Sequence, residues 1–129
     1  MIDILIHKTN VEHIKQVSKY IEERLAARHS DKMKVFHGGQ LIIVDCRIYL
    51  EFRCGSDFGR FGGIRPDYYY TDDEGDVRMM LEMGADKVNG LQITDLDDVV
   101  KIVNMHMDSY SEIKEYLKAK GCERSYDRN

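Results

Sequence analysis

From Ile42 to Cys54 every even-numbered position is apolar: Ile42, Val44, Cys46, Ile48, Leu50, Phe52 and Cys54. Asp45, Arg47, Tyr49, Glu51 and Arg53 take odd positions between them. A period of two belongs to an extended chain whose side chains point alternately to two faces, and a helix of 3.6 residues per turn cannot gather these residues on one side. The segment therefore reads as one long strand, or as two collinear strands joined by a bend near Asp45-Cys46. An apolar face of this length has to be covered, so the chain must build a sheet with a second layer on it.

The flanking sequence supplies that layer. Ile2, Ile4 and Ile6 alternate with Asp3, Leu5 and His7 in a first strand over 2–7. Thr9 stands three residues before Glu12 as a capping box, and Val11, Ile14, Val17, Ile21 and Leu25 form the stripe of a helix over 10–29. Arg28 and His29 sit in its last turn, beside the carbonyl end of the dipole. With Gly38-Gly39 as a hairpin turn, Val35 faces Ile42 and Met33 faces Val44, an apolar pairing in both cases. Residues 55–67 hold four glycines and the chain's single proline and read as a loop, and Tyr68-Tyr69-Tyr70 reads as the final strand.

Three helices are expected after that strand. Thr71 and Glu74 form a capping box for a helix over 72–83 that stops at Gly84. Residues 85–93 contain an Asn89-Gly90 turn signal and are otherwise uncommitted. Thr94 precedes Asp95, Asp97 and Asp98, with Leu96, Val99, Val100 and Val103 marking a helix to about residue 106. Ser109 and Glu112 form a further box for a last helix ending at Gly121. The expected fold class is α+β, β-α-β-β-β-α-α-α, with a small, mostly antiparallel sheet followed by three C-terminal helices. The 129 residues make one domain, with the sheet and first helix in 1–70, a helical part in 71–121 and a polar tail in 122–129.

Composition bounds the function classes. Hydrophobic residues at 43% and charged residues at 33% describe a folded chain with a core of its own. The apolar run in MIDILIHKTN is too short for a signal-peptide core, and no stretch approaches the roughly 20 apolar residues of a membrane helix, so no membrane contact and a cytoplasmic location are expected. Cys46, Cys54 and Cys122 are an odd, unpaired set that fits free thiols in a reducing compartment. Net charge is −4, divided as +3 over residues 1–66, −9 over 67–115 and +2 over 116–129. An acidic total argues against direct nucleic-acid binding, which draws its free energy from neutralising phosphates. An acidic face suits a basic protein partner instead.

Two candidate surfaces stand out. In the glycine-arginine loop, Arg53, Arg60 and Arg65 flank backbone that Gly62 and Gly63 leave open, and guanidinium forks with exposed N–H groups suit a phosphate, carboxylate or nucleotide. No phosphate-loop fingerprint is present. In the acidic segment, Asp72, Asp73 and Asp76 and then Asp95, Asp97 and Asp98 exceed what helix capping requires. A nuclease centre of Asp45, Glu51 and Arg53 fails on spacing, because six residues of strand separate the two acids by ~20 Å. Cys46 and Cys54 fall on the apolar face and read as small buried hydrophobes, so no metal site is expected. His37 reads as a turn residue, His7 and His13 as locally bonded groups, and His106 as a group near a helix end.

The leading expectation is a non-enzymatic, inhibitor- or immunity-type protein that docks on a protein partner through its acidic helical face and the glycine-arginine loop, without a cofactor. The alternative is a nucleotide or other phosphorylated ligand bound at residues 53–65, for sequestration or chemistry. A magnesium-dependent nuclease is the third reading. A long alternating strand at a sheet edge would also allow pairing into a homodimer.

Overall fold

A computed structural model describes residues 1–55, 66–73 and 91–119, with side chains in the last segment described through Ser109. Its fold is α+β. Six strands form one mixed sheet: β1 (Ile2–Lys8), β2 (Met33–Phe36), β3 (Leu41–Val44), β4 (Ile48–Cys54), β5 (Tyr68–Thr71) and β6 (Leu91–Gln92). Two helices accompany them, α1 (Val11–His29) and α2 (Asp97–Ala119). The strand order is β2-β3-β4-β1-β5-β6. β1 runs parallel to β4 and to β5, and β5 parallel to β6. Only the β2–β3 and β3–β4 pairings are antiparallel. The mostly antiparallel sheet is thus corrected to a mixed one, and Tyr68–Thr71 is not the last strand.

The long alternating segment is neither one strand nor two collinear ones. It folds back on itself as the β3–β4 hairpin, in which Ile42 faces Leu50 and Val44 faces Ile48. Each pair joins two even-numbered residues, so the alternation runs through the reversal without a break in phase. The turn is closed by Arg47 N–H donating to the Val44 carbonyl at 3.1 Å, with Asp45 and Cys46 at φ of 54° and 56°. Two successive positive φ values ordinarily draw Asn-Gly or Asp-Gly, and a cysteine in the glycine place hid the turn. Cys46 is consequently exposed at the hairpin tip, and Cys54 is exposed at the end of β4, so neither is the buried hydrophobe expected of it. The register expected across Gly38-Gly39 is observed, Met33 opposite Val44 and Val35 opposite Ile42.

One face of the sheet carries Ile4, Ile6, Ile42, Val44, Ile48, Leu50 and Phe52, packed with Ile14, Val17, Ile21 and Leu25 of α1 and Val99, Val103 and Met107 of α2. On the other face Leu5, His7, Tyr69 and Thr71 are buried as well. β1 is therefore covered on both sides, as an interior parallel strand usually is. Val11, expected in the buried stripe of α1, is half exposed. The α1 cap is Asn10 and not Thr9, because Asn10 Oδ1 accepts from Glu12 N–H at 2.8 Å and from His13 N–H at 3.3 Å.

α2 replaces two of the three expected C-terminal helices. It runs unbroken through the Ser109–Glu112 box, since apolar residues continue at helical spacing and an interior serine costs only about 0.5 kcal/mol. Its first turn is capped by Asp95, whose Oδ1 accepts from Asp97 N–H at 2.9 Å. The helix expected over 72–83 lies outside the described residues beyond Asp73. His29 Nε2 donates to Asn104 Oδ1 at 2.7 Å and Arg28 pairs with Asp108 at 3.3 Å, so the basic last turn of α1 ties the two helices together. His106 lies in the interior of α2, bonded to the Tyr68 hydroxyl at 3.0 Å.

Cys46→Gly is expected to stabilise the protein by about 1 kcal/mol, because it removes a Cβ from a left-handed residue at an exposed tip. Urea unfolding of the variant beside the parent protein measures this, and an unchanged or lowered midpoint would contradict the strain.

Candidate functional site

The parallel alignment of β1, β4 and β5 brings their carboxyl ends to one edge of the sheet. From β1 the chain turns into α1 and towards the β2 side, whereas β5 is followed in the sheet by β6 on the opposite side. Where connections diverge in this way, a crevice opens outside the strand ends. Here its β1–β5 portion is closed by hydrogen bonds: Thr9 N–H and Thr9 Oγ1 both donate to the Asp72 carboxylate, at 2.8 and 3.3 Å. Beneath this clasp His7 is fully buried. Its Nε2 donates to the Gly55 carbonyl at 3.0 Å and its Nδ1 accepts from the Thr71 hydroxyl at 2.7 Å, so one imidazole ties together the ends of β1, β4 and β5. Lys8 Nζ reaches the Tyr70 hydroxyl at 3.2 Å beside it.

The open space lies one strand over, at the end of β4. A cleft of about 730 Å³ is bounded by the first half of α1, the β2–β3 turn and the last residues of β4. This volume falls within the range of small-molecule sites. Val11, Ile14, Leu41 and Phe52 give it apolar surface. Its polar side chains include Lys15 from α1, His37 and Gln40 from the turn, and Glu51 and Arg53 from β4. Arg53 donates through Nε and Nη2 to one oxygen of Glu51, at 3.0 and 2.8 Å, which fixes the guanidinium at the rim. The turn is tied to α1 by Ser18 Oγ, which donates to the Gly39 carbonyl at 2.6 Å inside the protein. A Cβ on Gly39 would stand 2.8 Å from that oxygen, and φ there is +99°, so only glycine fits.

Of the residues singled out in sequence, Arg53 is part of the cleft. Arg60, Gly62, Gly63, Arg65 and Asp76 lie outside the described residues. Asp72 is held by Thr9 at the β1–β5 edge, and Asp73 N–H donates to Thr71 Oγ1 at 3.0 Å. At the start of α2, Asp95 caps the helix, Asp97 accepts from the Tyr20 hydroxyl at 2.5 Å, and Asp98 pairs with Lys101 at 3.7 Å. The bond to Asp97 is the main reason that the Tyr20 phenol is held above its ordinary range. Asp45 pairs with Arg47 at the hairpin tip and Glu51 with Arg53 near the other end of β4, so the three residues weighed as a nuclease centre do not converge. Among the described residues no group of three histidines, cysteines or acids is placed to hold a metal ion, and no helix is long and apolar enough to cross a membrane.

Sequence reasoning missed Lys15 and His37 as site residues. No sequence signal marked them, since Val11, one helical turn before Lys15, fits the apolar stripe and only the structure shows it half exposed. No family model, curated protein or solved structure matches the chain.

At the opposite end of β1, burial first, and then the Asp67 and Glu51 carboxylates, push the Asp3 carboxyl above its usual range. The folded state therefore holds this proton more tightly than the unfolded chain, and stability falls as pH rises through the carboxylate range. Asp3→Asn is expected to raise the melting temperature at pH 7, with the gain shrinking as the pH approaches 3. A gain independent of pH would contradict the assignment.

Proposed function

We propose that this protein is a binding protein for a small phosphorylated ligand of nucleotide type, held in the cleft between α1 and β4. The observation that carries this reading is the lining itself, which combines apolar side chains with Lys15, His37 and Arg53 from three separate elements, its one carboxylate, Glu51, being held by Arg53. Apolar area accommodates a ring, and separated nitrogen donors grip a phosphate from several directions. The placement beside the carboxyl ends of parallel strands supports it further. The loop that follows Arg53 in sequence, with Arg60 and Arg65, belongs to the same proposal.

Docking of an acidic face on a basic protein draws on the −9 charge of residues 67–115. Its support is weaker, because Asp72, Asp95, Asp97 and Asp98 all have internal partners that account for their positions.

Thermal unfolding in the presence of the four common nucleoside 5′-monophosphates tests the ligand reading. A ligand at 100 times its dissociation constant stabilises by about 2.7 kcal/mol, a shift of several degrees. Lys15→Glu is expected to abolish the shift while leaving the unliganded melting temperature nearly unchanged, since Lys15 is exposed and its pairing with Glu12 at 4.0 Å contributes little. Asp72→Lys is expected to retain the shift. No shift with any of the four, or an equal shift in Lys15→Glu, would overturn the reading.

A further inference from the structure

We infer that His37 is a ligand-binding residue, kept in a costly backbone conformation because its imidazole contacts the phosphate of the bound molecule; this rests on the ligand reading above. The β2–β3 turn strings together three left-handed residues, His37, Gly38 and Gly39, at φ of 53°, 64° and 99°. Glycine adopts such angles without steric cost, and a residue with a Cβ does not. Gly39 is dictated by its contact with Ser18, and Gly38 by its φ alone, since nothing lies within 4 Å of a Cβ built there.

Among the described residues no side-chain hydrogen bond calls for a histidine as the third member. His37 is exposed, and its imidazole makes no hydrogen bond among the described residues. Its ring lies 6.5 Å from that of Phe36 with the planes tilted by 45°, near the outer limit of aromatic pairing. A third glycine would form the same turn at lower cost. Strained residues cluster at ligand-binding sites, and His37 lines the cleft, whose other two walls carry Lys15 and Arg53. An imidazole N–H there completes a three-sided set of donors for one phosphate group. The bland explanation is that histidine, like asparagine, tolerates the left-handed region better than most residues. Asparagine at the same position separates the two accounts, since it keeps the tolerance and loses the imidazole.

The test uses the full chain, with adenosine 5′-monophosphate and inorganic phosphate as calorimetric probes and thermal unfolding without ligand as the second readout. His37→Gly is expected to melt about 2–5 °C above the parent protein and to bind adenosine 5′-monophosphate at least about tenfold more weakly. His37→Asn is expected to melt close to the parent and to lose affinity to a similar degree. Inorganic phosphate is expected to bind more weakly than the nucleotide and to show the same loss in both variants. Parent-like affinity in either variant overturns the inference while leaving the ligand reading intact, and a His37→Gly protein that melts below the parent overturns the strain on which it stands. A parent protein that binds neither probe removes both.

Discussion

The placement of β1 between two parallel partners governs the rest of the molecule. Hydrogen bonding to β4 on one side and β5 on the other leaves β1 no edge, and burial of Ile4 and Ile6 on one face with Leu5 and His7 on the other leaves it no solvated side. A strand so enclosed can be joined to a parallel neighbour only through a crossover, and α1 followed by the β2–β3 hairpin is that crossover. The carboxyl ends of β1, β4 and β5 therefore leave the sheet at one edge, and the backbone there has to be pinned. His7 does so, using both ring nitrogens to join the three strand ends.

The cleft is a by-product of the same arrangement. α1 packs on the sheet through Ile14, Val17, Ile21 and Leu25, and in its first two turns Val11 and Lys15 line the cleft at the end of β4 without entering the core. The left-handed turn after β2 closes the far side and is locked to the helix by the Ser18–Gly39 bond. Three elements distant in sequence thus surround one space, each with a polar nitrogen at its rim. Among the described acids, Asp72 after β5 is held by Thr9, and Asp95, Asp97 and Asp98 at the start of α2 each have a partner.

Much of the fold was legible in the residues. The even-position alternation, the helix stripe and the Gly38-Gly39 register all rest on periodicities that packing enforces. What escaped depended on contacts between distant segments. The hairpin at Asp45-Cys46 preserved the phase of the alternation and placed cysteine where glycine is customary. The parallel pairing of β1 with β5 has no local signature, nor does the two-residue β6. The Ser109–Glu112 box is a real helix-start pattern, overridden because the apolar spacing of α2 continues through it. The site was legible only at Arg53, since Lys15 and His37 gain meaning from the cleft they share and not from any spacing along the chain.

The cleft itself contains the means for a direct test. Cys54 lines it, whereas Cys46 stands at the hairpin tip at the other end of β4, and both thiols are exposed. Alkylation rates read peptide by peptide, with and without a saturating nucleoside 5′-monophosphate, compare the two positions within one molecule. Occupation of the cleft slows modification of Cys54 and leaves Cys46 unchanged. Equal rates at Cys54 with and without the nucleotide, under conditions where the nucleotide is bound, would place the ligand elsewhere and contradict the assignment of the cleft.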